Sequence, residues 1–194
     1  MGRTIEFDYD QAIDRATRLF WKTGYSNTSL RALLKTMKLG EGSFYNSVKS
    51  KKHLFLECLK HYRETIGRQR ETAFFSEPSV KCGIRALFKT LLDQLDDPSS
   101  PRSCLMASSL SREVLEEPDL RNYILGEMAE FGGQFVERLK AAQDSGELPK
   151  KFAPEAVAQI VGTYIQGVLR MAPLFRDRRQ LEIQIEIFLA SLGF

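Results

Sequence analysis

The sequence has few of the residue types from which metal and disulfide sites are built. Its 194 residues include three cysteines and two histidines. Cys58, Cys82 and Cys104 are widely spaced and form no C-x-x-C pair, so neither a disulfide framework nor a zinc site is expected. His53 and His61 lie on one predicted helix with no second group of ligands nearby. We therefore expect no bound metal and no cofactor.

Motifs typical of enzymes and of membrane proteins are also missing. Gly40 and Gly42 lack the third glycine and the preceding strand of a dinucleotide site, and no nucleophile elbow or phosphate loop is present. The N-terminal residues lack the apolar core of a signal peptide. The longest uncharged apolar run, 156–169, contains Gln159 and Gln166 and is too short to span a bilayer. These absences predict a cytoplasmic protein that is neither an enzyme nor a membrane protein.

Composition and charge indicate a globular chain with one basic end. Hydrophobic residues make up 43% and charged residues 27%, and the length allows one long or two short domains. Residues 1–68 contain 13 Lys and Arg against 7 Asp and Glu, whereas the remainder contains 15 against 18. Such asymmetry is typical of a protein in which one end meets phosphates and the other does not.

The most informative stretch is 28–54. Thr28 is the predicted N-cap of a helix whose apolar face recurs at three- and four-residue spacing: Leu30, Leu33, Leu34 and Met37. That helix ends at Lys38, and a second short helix begins at about Gly42. Leu39 and Phe44 are expected to face the core. Small polar residues are expected to face outward, namely Glu41, Ser43, Asn46 and Ser47. This pattern is typical of a helix-turn-helix and its recognition helix.

The run from Thr28 to Lys51 resembles the DNA-binding domain of the TetR family of bacterial transcriptional repressors. Tyr45 near the end of the recognition helix and the junction 48–51 are the most telling residues. The resemblance covers about the first third of the chain; the rest is similar only in length and helical character. Lys38 occupies the turn position usually held by glycine, so a positive φ is expected there. Glu41 replaces a basic or small residue. We favour stabilisation of the helix N-terminus over contact with a cytosine amino group as its role.

The predicted fold is all-α with about nine helices. A three-helix DNA-binding domain occupies residues 1–50, and an effector-binding and dimerisation domain occupies 51–194, with a helix over 50–74 as the connector. The first helix, 9–23, should be capped by Asp8 and end at Gly24. Pro78 should start the fifth helix and residues 104–116 should form the sixth. The pair Gly132-Gly133 inside a long helix indicates close approach by another helix or by a ligand.

The resemblance implies double-stranded DNA as a partner, read as a pseudo-palindromic operator by a homodimer. The dimer should form through the last two helices, about 154–192, where apolar residues cover more than one face. Phosphate contacts are assigned to Thr28, Ser29, Tyr45, Lys49 and Lys51. Base-edge candidates are Arg31, Ser43, Asn46 and Ser47, with Glu41 and Gly42 also on the recognition helix; Asn46 suits a phosphate equally well. Arg3 in the N-terminal arm, 2–7, is a further candidate for the minor groove.

The second domain is expected to bind a small, mostly apolar effector, as the family does. The pocket candidates are Tyr62, Phe88, Leu92, Cys104, Met106, Phe131, Phe135, Tyr164 and Gln166. Two other functions stay open. A helix N-terminus and Arg102 could lower the pKa of Cys104, which would suit a thiol sensor of oxidants or electrophiles. Alternatively, the protein is a non-specific architectural DNA binder, whose binding would follow salt alone.

Overall fold

Every regular element in residues 8–194, the range that the computed structural model describes, is helical. The predicted arm with Arg3 lies outside this range. The N-terminal helices are α1 (Tyr9–Thr23), α2 (Leu30–Met37) and α3 (Glu41–Val48). The connector is a continuous helix made of α4 (Lys51–Tyr62), a π-helical turn (Arg63–Gly67) and α5 (Arg68–Ser76). The remaining helices are α6 (Val80–Asp96), α7 (Leu105–Ser108), α8 (Arg112–Leu115), α9 (Pro118–Asp144), α10 (Pro154–Met171) and α11 (Arg178–Ser191). The all-α prediction is confirmed.

Helix caps in the first part of the chain follow the sequence signals closely. Asp8 accepts from the Gln11 N–H at 3.0 Å, and Gly24 ends α1 with φ 79°. Ser50 accepts from the His53 N–H and starts α4 as expected. These caps satisfy backbone donors that have no partner inside the helix.

The cap predicted for α2 is displaced by one residue. Ser29, not Thr28, accepts the N–H of Ala32, at 3.2 Å. Thr28 is buried, and its hydroxyl donates to the Gly24 carbonyl at 2.6 Å while it contacts the Thr23 hydroxyl. Thr28 therefore ties the end of α1 to the start of α2, which removes it from the helix surface.

Two predicted helices in the second part differ from the structure. Pro78 does not start a helix, because Ser79 accepts from the Cys82 N–H and α6 begins at Val80. Residues 104–116 form two four-residue helices instead of one. Ser109 turns its hydroxyl back to the Leu105 carbonyl, and Ser111 takes the extended conformation that begins α8. Serine side chains compete with the helical backbone in this way. With the connector taken as one helix, residues 8–194 contain ten helices, one more than predicted.

The first three helices are joined to the second part through the side chains of α1. Phe20 packs edge-on against Phe55 of α4, with ring centroids 4.8 Å apart. Trp21 packs edge-on against Tyr62 at 4.9 Å, and its indole N–H donates to the Ser103 carbonyl at 3.1 Å. The end of α4 at Tyr62 is therefore in direct contact with α1.

The close helix approach predicted at Gly132 and Gly133 occurs elsewhere. A Cβ atom added to either glycine would meet no heavy atom of another segment of residues 8–194 within 4 Å, so no other described helix packs closely on them. The close approach is at Gly83 of α6, where an added Cβ would lie 2.6 Å from the Phe74 carbonyl oxygen of α5. Gly83 is thus the position at which α5 and α6 meet backbone to backbone.

The last two helices carry apolar side chains on two faces. Leu181, Ile185 and Leu189 of α11 are buried. On the opposite face Ile183 and Ile187 are 53% and 67% exposed. Within residues 8–194, no helix combines the length and apolar character needed to cross a membrane.

Candidate functional site

The turn between α2 and α3 is tight because of Lys38. Lys38 adopts the left-handed conformation, φ 58° and ψ 42°, as the sequence predicts. Its N–H bonds to carbonyls of the last turn of α2, and the Leu39 N–H donates to the Leu34 carbonyl at 3.0 Å. This reversal lets α3 begin only four residues after α2 ends, with Gly40 as its N-cap. The result is a helix-turn-helix.

The outward face of α3 is short and polar. Phe44 and Val48 are fully buried and fix the helix against the core. The remaining residues from 41 to 47 are exposed: Glu41, Gly42, Ser43, Tyr45, Asn46 and Ser47. Tyr45 is 49% exposed, and its ring rests edge-on against Phe44. A helix with small hydrogen-bonding groups outward suits the major groove, whose base edges present donors and acceptors.

The ends of α2 and α4 flank this face. Ser29 and Arg31 are exposed in the first turn of α2, and Lys49 is exposed with φ 68°. Lys51 is half-buried, and its Nζ lies 4.6 Å from the centroid of the Tyr25 ring. Burial lowers the pKa of Lys51. Of the eleven predicted DNA-contact residues, the structure removes Thr28 from the surface because it is buried.

The nine predicted pocket residues fall into separate clusters. Phe131 and Phe135 pack with Phe74, and Phe88 and Tyr164 pack with Phe188. Leu92 lies in the core, while Met106 and Gln166 are half-buried. Tyr62 and Cys104 lie together beside Arg70 of α5. Of the nine predicted residues, Tyr62 and Cys104 thus lie beside an arginine, Arg70, that the sequence did not indicate.

The cation beside Cys104 is Arg70, not Arg102. Arg70 Nη1 lies 3.7 Å from Cys104 Sγ, and its Nε donates to Gln94 Oε1 at 2.5 Å. Arg102 instead donates to the carbonyls of Leu95, Ala172 and Phe175 and pairs with Asp96. Arg70 precedes Cys104 by 34 residues, so no local signal in the sequence joins them.

The polar side chains beside Cys104 are those of Tyr62 and Arg70. Burial raises the pKa of Tyr62 well above its ordinary value, so its hydroxyl is neutral at pH 7. Burial lowers the pKa of Arg70, but Cys104 and Tyr62 more than offset this, and the guanidinium stays charged. Among residues 8–194, no three His, Cys, Asp or Glu side chains are grouped to hold a metal ion.

A cleft opens on the surface between α10 and α11. Its volume is about 570 Å³, and it is lined by Gln159, Ile160, Thr163, Tyr164, Gly167 and Phe188. Ile160 at its edge is 47% exposed. With Ile183 and Ile187, the cleft forms an apolar surface on the last two helices.

Two family models match the chain. "Bacterial regulatory proteins, tetR family" matches residues 12–58, which include the helix-turn-helix, and "Tetracyclin repressor-like, C-terminal domain" matches residues 82–188. The second match alone covers more than half of the chain. Both halves of the molecule are therefore recognised independently.

Curated relatives and solved structures agree. The chain is 28% identical to the uncharacterised HTH-type transcriptional regulator YezE of Bacillus subtilis, covering 99% of this chain and 100% of that one. It is 26% identical to the repressor ComR of Escherichia coli, over 86% and 80% of the two chains. A cysteine mutant of the regulator CifR, solved with 26-bp operator DNA, superposes with a TM-score of 0.87 at 29% identity, over 97% and 99%. The chain belongs to the TetR family of bacterial transcriptional regulators.

Proposed function

We propose that the protein is a dimeric repressor that binds a two-fold symmetric operator through α3 and is released by a small effector. The observation that carries this proposal is the polar, exposed face of α3 held on a buried Phe44 and Val48. The solved relative CifR binds operator DNA, and the relative ComR is a repressor. One helix-turn-helix reads few base pairs, so a dimer on adjacent major grooves is required for useful specificity.

In this proposal the surface residues divide into two groups. Ser29, Tyr45, Lys49 and Lys51 bind phosphates and set the orientation of the protein on the duplex, which carries no sequence information. Arg31, Ser43, Asn46 and Ser47 contact base edges, since their side chains present donors and acceptors at the groove. Gly42 allows the backbone of α3 to approach the DNA. Glu41 stabilises the N-terminus of α3, where a negative charge is favourable.

Selection from random duplexes tests this proposal. The purified chain should enrich a two-fold symmetric site. Arg31→Ala should relax the preference at one base pair per half-site, at a cost of about 1–3 kcal/mol on the preferred site. Lys49→Ala should weaken binding to all duplexes alike, and it should reduce the slope of log K against log salt concentration by about one. Failure to enrich any site, with binding that only declines as salt rises, would instead identify an architectural DNA binder.

The homodimer is proposed to form through α10 and α11. Ile160, Ile183 and Ile187 are each about half exposed or more. An apolar surface of this kind on two adjacent helices marks an interaction site. In a two-fold dimer the same surface of each subunit meets its copy, and the cleft beside Tyr164 receives side chains of the partner. This arrangement would give the second apolar face of α11, with Ile183 and Ile187, a partner to pack against.

The second domain is proposed to bind the effector and to act through the connector. The connector runs without a break from Ser50, beside the recognition helix, to Ser76 in the second domain. An effector shifts DNA affinity only if it binds one subunit arrangement better than the other. Movement of α4, which contacts α1 through Phe55 and Tyr62, would then change the separation of the two recognition helices.

A second candidate function, thiol sensing, is favoured by the contact between Arg70 and Cys104. A guanidinium 3.7 Å from Sγ is the kind of cationic neighbour that is found beside reactive cysteines. Rapid modification of Cys104 by a thiol reagent, accompanied by loss of DNA binding, would support it. Full response of the Cys104→Ser variant to the same reagent would exclude it.

A further inference from the structure

Arg70 differs in its partners from three other partly buried arginines, Arg63, Arg138 and Arg178. Arg63 pairs with two carboxylates and Arg178 with three. Arg138 is held by three backbone carbonyls. Arg70 has the Gln94 amide and the Cys104 thiol, and no carboxylate among residues 8–194 pairs with it. A guanidinium has five donors, so Arg70 retains donors for an anion that the chain itself does not supply.

Tyr62 has an unused donor at the same place. The residue is 1% exposed, and its hydroxyl makes no hydrogen bond. Its nearest charged or polar neighbours are Arg70 and Cys104, which both affect the pKa of Tyr62. A buried hydroxyl without a partner costs about 1–3 kcal/mol, and such a group in a native protein requires a reason.

The π-helical turn brings these two residues onto one face of the connector. In a regular α-helix, residues seven apart share a face, because seven steps complete nearly two turns. The turn at Arg63–Gly67, in which the Arg68 N–H bonds to the Arg63 carbonyl, inserts one extra residue. Residues eight apart, Tyr62 and Arg70, therefore face the same way. Gln94 stabilises the turn, since its Nε2 donates to the Ile66 carbonyl at 3.0 Å.

We propose that Arg70 and Tyr62 form a subsite for the oxyanion of the effector, and that the effector is a small monocarboxylate with a short apolar body. This inference rests on the proposed function as an effector-responsive regulator. The guanidinium donates to the carboxylate as a charge-assisted pair, and the Tyr62 hydroxyl supplies a further donor. The ring of Trp21, which is buried and lies 4.9 Å from the ring of Tyr62, offers an apolar surface that suits the short body.

Binding at this subsite acts directly on the helix that leads to DNA. Tyr62 is the last residue of α4 and touches Trp21 of α1. The π-helical turn between Tyr62 and Arg70 is the irregular part of the connector. A carboxylate that draws these two side chains together therefore favours one arrangement of the turn, and with it one position of α4.

The fluorescence of Trp21 reports occupancy in the unmodified protein, because it is the single tryptophan of the chain and packs on Tyr62. Butyrate and hexanoate are titrated against butyramide and hexanamide, which have the same shape without the charge. We expect a saturable change with the acids at concentrations at least about 10-fold below any effect of the amides. Equal responses to acids and amides, or no saturable response to the acids, would overturn the subsite.

Variants locate the effect. Arg70→Gln should lose the preference for acids over amides. Arg112→Gln is the control and should keep it, because Arg112 is exposed and pairs only with Glu116 at the end of α8. If Arg70→Gln does not fold, as judged by circular dichroism, Tyr62→Phe decides, since it removes only an unbonded hydroxyl and should weaken acid binding several-fold. Unchanged acid binding by the folded Arg70→Gln variant, or by Tyr62→Phe in its place, would contradict the proposal.

Two further readouts separate this proposal from the others. Cys104→Ser should keep the response to acids, and loss of that response would assign Arg70 to the thiol instead. In the second readout, binding of the protein to the selected operator is measured with and without hexanoate. Operator binding that is unaffected by acids overturns the subsite but leaves the DNA-binding function standing. A carboxylate preference in a protein that selects no operator would remove only the proposed function.

Discussion

At the scale of the residue, Lys38 determines how sharply the chain turns within the helix-turn-helix. Its φ of 58° places Cβ close to the following carbonyl, a strain that glycine does not have. The side chain is exposed and no hydrogen bond holds it among the described residues. The strain is therefore not compensated locally; it is sustained by the packing of α2 and α3 through Met37 and Phe44.

Lys38→Gly should raise the free energy of unfolding by about 1 kcal/mol, because it removes this strain. Lys35→Gly provides the matched control: Lys35 is an exposed lysine inside α2, where glycine should lower the free energy by about 1 kcal/mol. Both are measured by urea unfolding. A Lys38→Gly variant less stable than the wild type would show that the turn does not depend on strain at this residue.

Cys58 illustrates a buried group that affects stability through pH. Burial raises its pKa from 9.0 to about 12, and its Sγ lies under α1 near the Ile13 carbonyl. Because the folded protein holds the proton more tightly than the unfolded chain, the contribution of Cys58 to stability is complete below pH 9. It is lost as the pH rises from 9 towards 12.

Between pH 8 and pH 10 the wild type should lose about 1 kcal/mol more unfolding free energy than Cys58→Ala does. The comparison uses the difference between the two pH values, so that the packing loss in Cys58→Ala cancels. Cys82→Ala is the control: Cys82 is exposed, so this variant should lose as much unfolding free energy between the two pH values as the wild type does. Parallel losses in wild type and Cys58→Ala would mean that the thiol does not titrate in this way.

At the scale of the element, local signals predict most of the helices. Caps and apolar periodicity depend on residues three or four apart, so Asp8 and Ser50 mark helix starts correctly. The π-helical turn depends instead on distant partners: Gln94 binds the Ile66 carbonyl, and Arg63 pairs with Glu127 of α9. Such contacts cannot be inferred from periodicity. The same reason hides the contact between Arg70 and Cys104.

The contact between α5 and α6 depends on the missing side chain of Gly83. An alanine there would meet the Phe74 carbonyl at 2.6 Å, and a backbone atom in a packed helix has little freedom to move. Gly133 of α9 is also within a helix, but it is exposed and has open space around it.

Gly83→Ala should lower the free energy of unfolding by about 1–3 kcal/mol, as other overpacked positions do. Gly133→Ala should raise it by about 0.5–1 kcal/mol through helix propensity alone. Thermal and urea unfolding of the two variants give the comparison. If both alanines stabilise the protein, then α5 and α6 do not pack as closely as described.

At the scale of the whole molecule, polar side-chain contacts join α1, the connector and the helices that follow it. Trp21 donates to Ser103, and His61 on the connector lies 3.4 Å from Asp14 of α1. Lys52 at the start of α4 pairs with Glu117 and Asp119 at the start of α9, at 3.3 Å each. The first two contacts meet where α1, α4 and the segment before α7 come together, so the proposed coupling between DNA and effector would pass through this junction.

The proposed dimer through α10 and α11 predicts that Ile187→Glu is a monomer at concentrations at which the wild type forms dimers, because the substitution would bury a charge in the subunit contact. Leu125→Glu on α9 is the control. Leu125 is 56% exposed, compared with 67% for Ile187, but it lies outside α10 and α11. Light scattering after size exclusion measures the mass. Loss of the dimer in Leu125→Glu and not in Ile187→Glu would move the interface to α9.

The number of protomers on the selected duplex, measured together with binding to a single half-site, is the sharpest test of dimeric, sequence-specific DNA binding. We expect protomers to bind the full site in pairs, and a duplex with one half-site scrambled to bind at least about 100-fold more weakly at the same salt. A single protomer on the duplex, or equal affinity for the full site and the half-site, would contradict a dimeric, sequence-specific regulator.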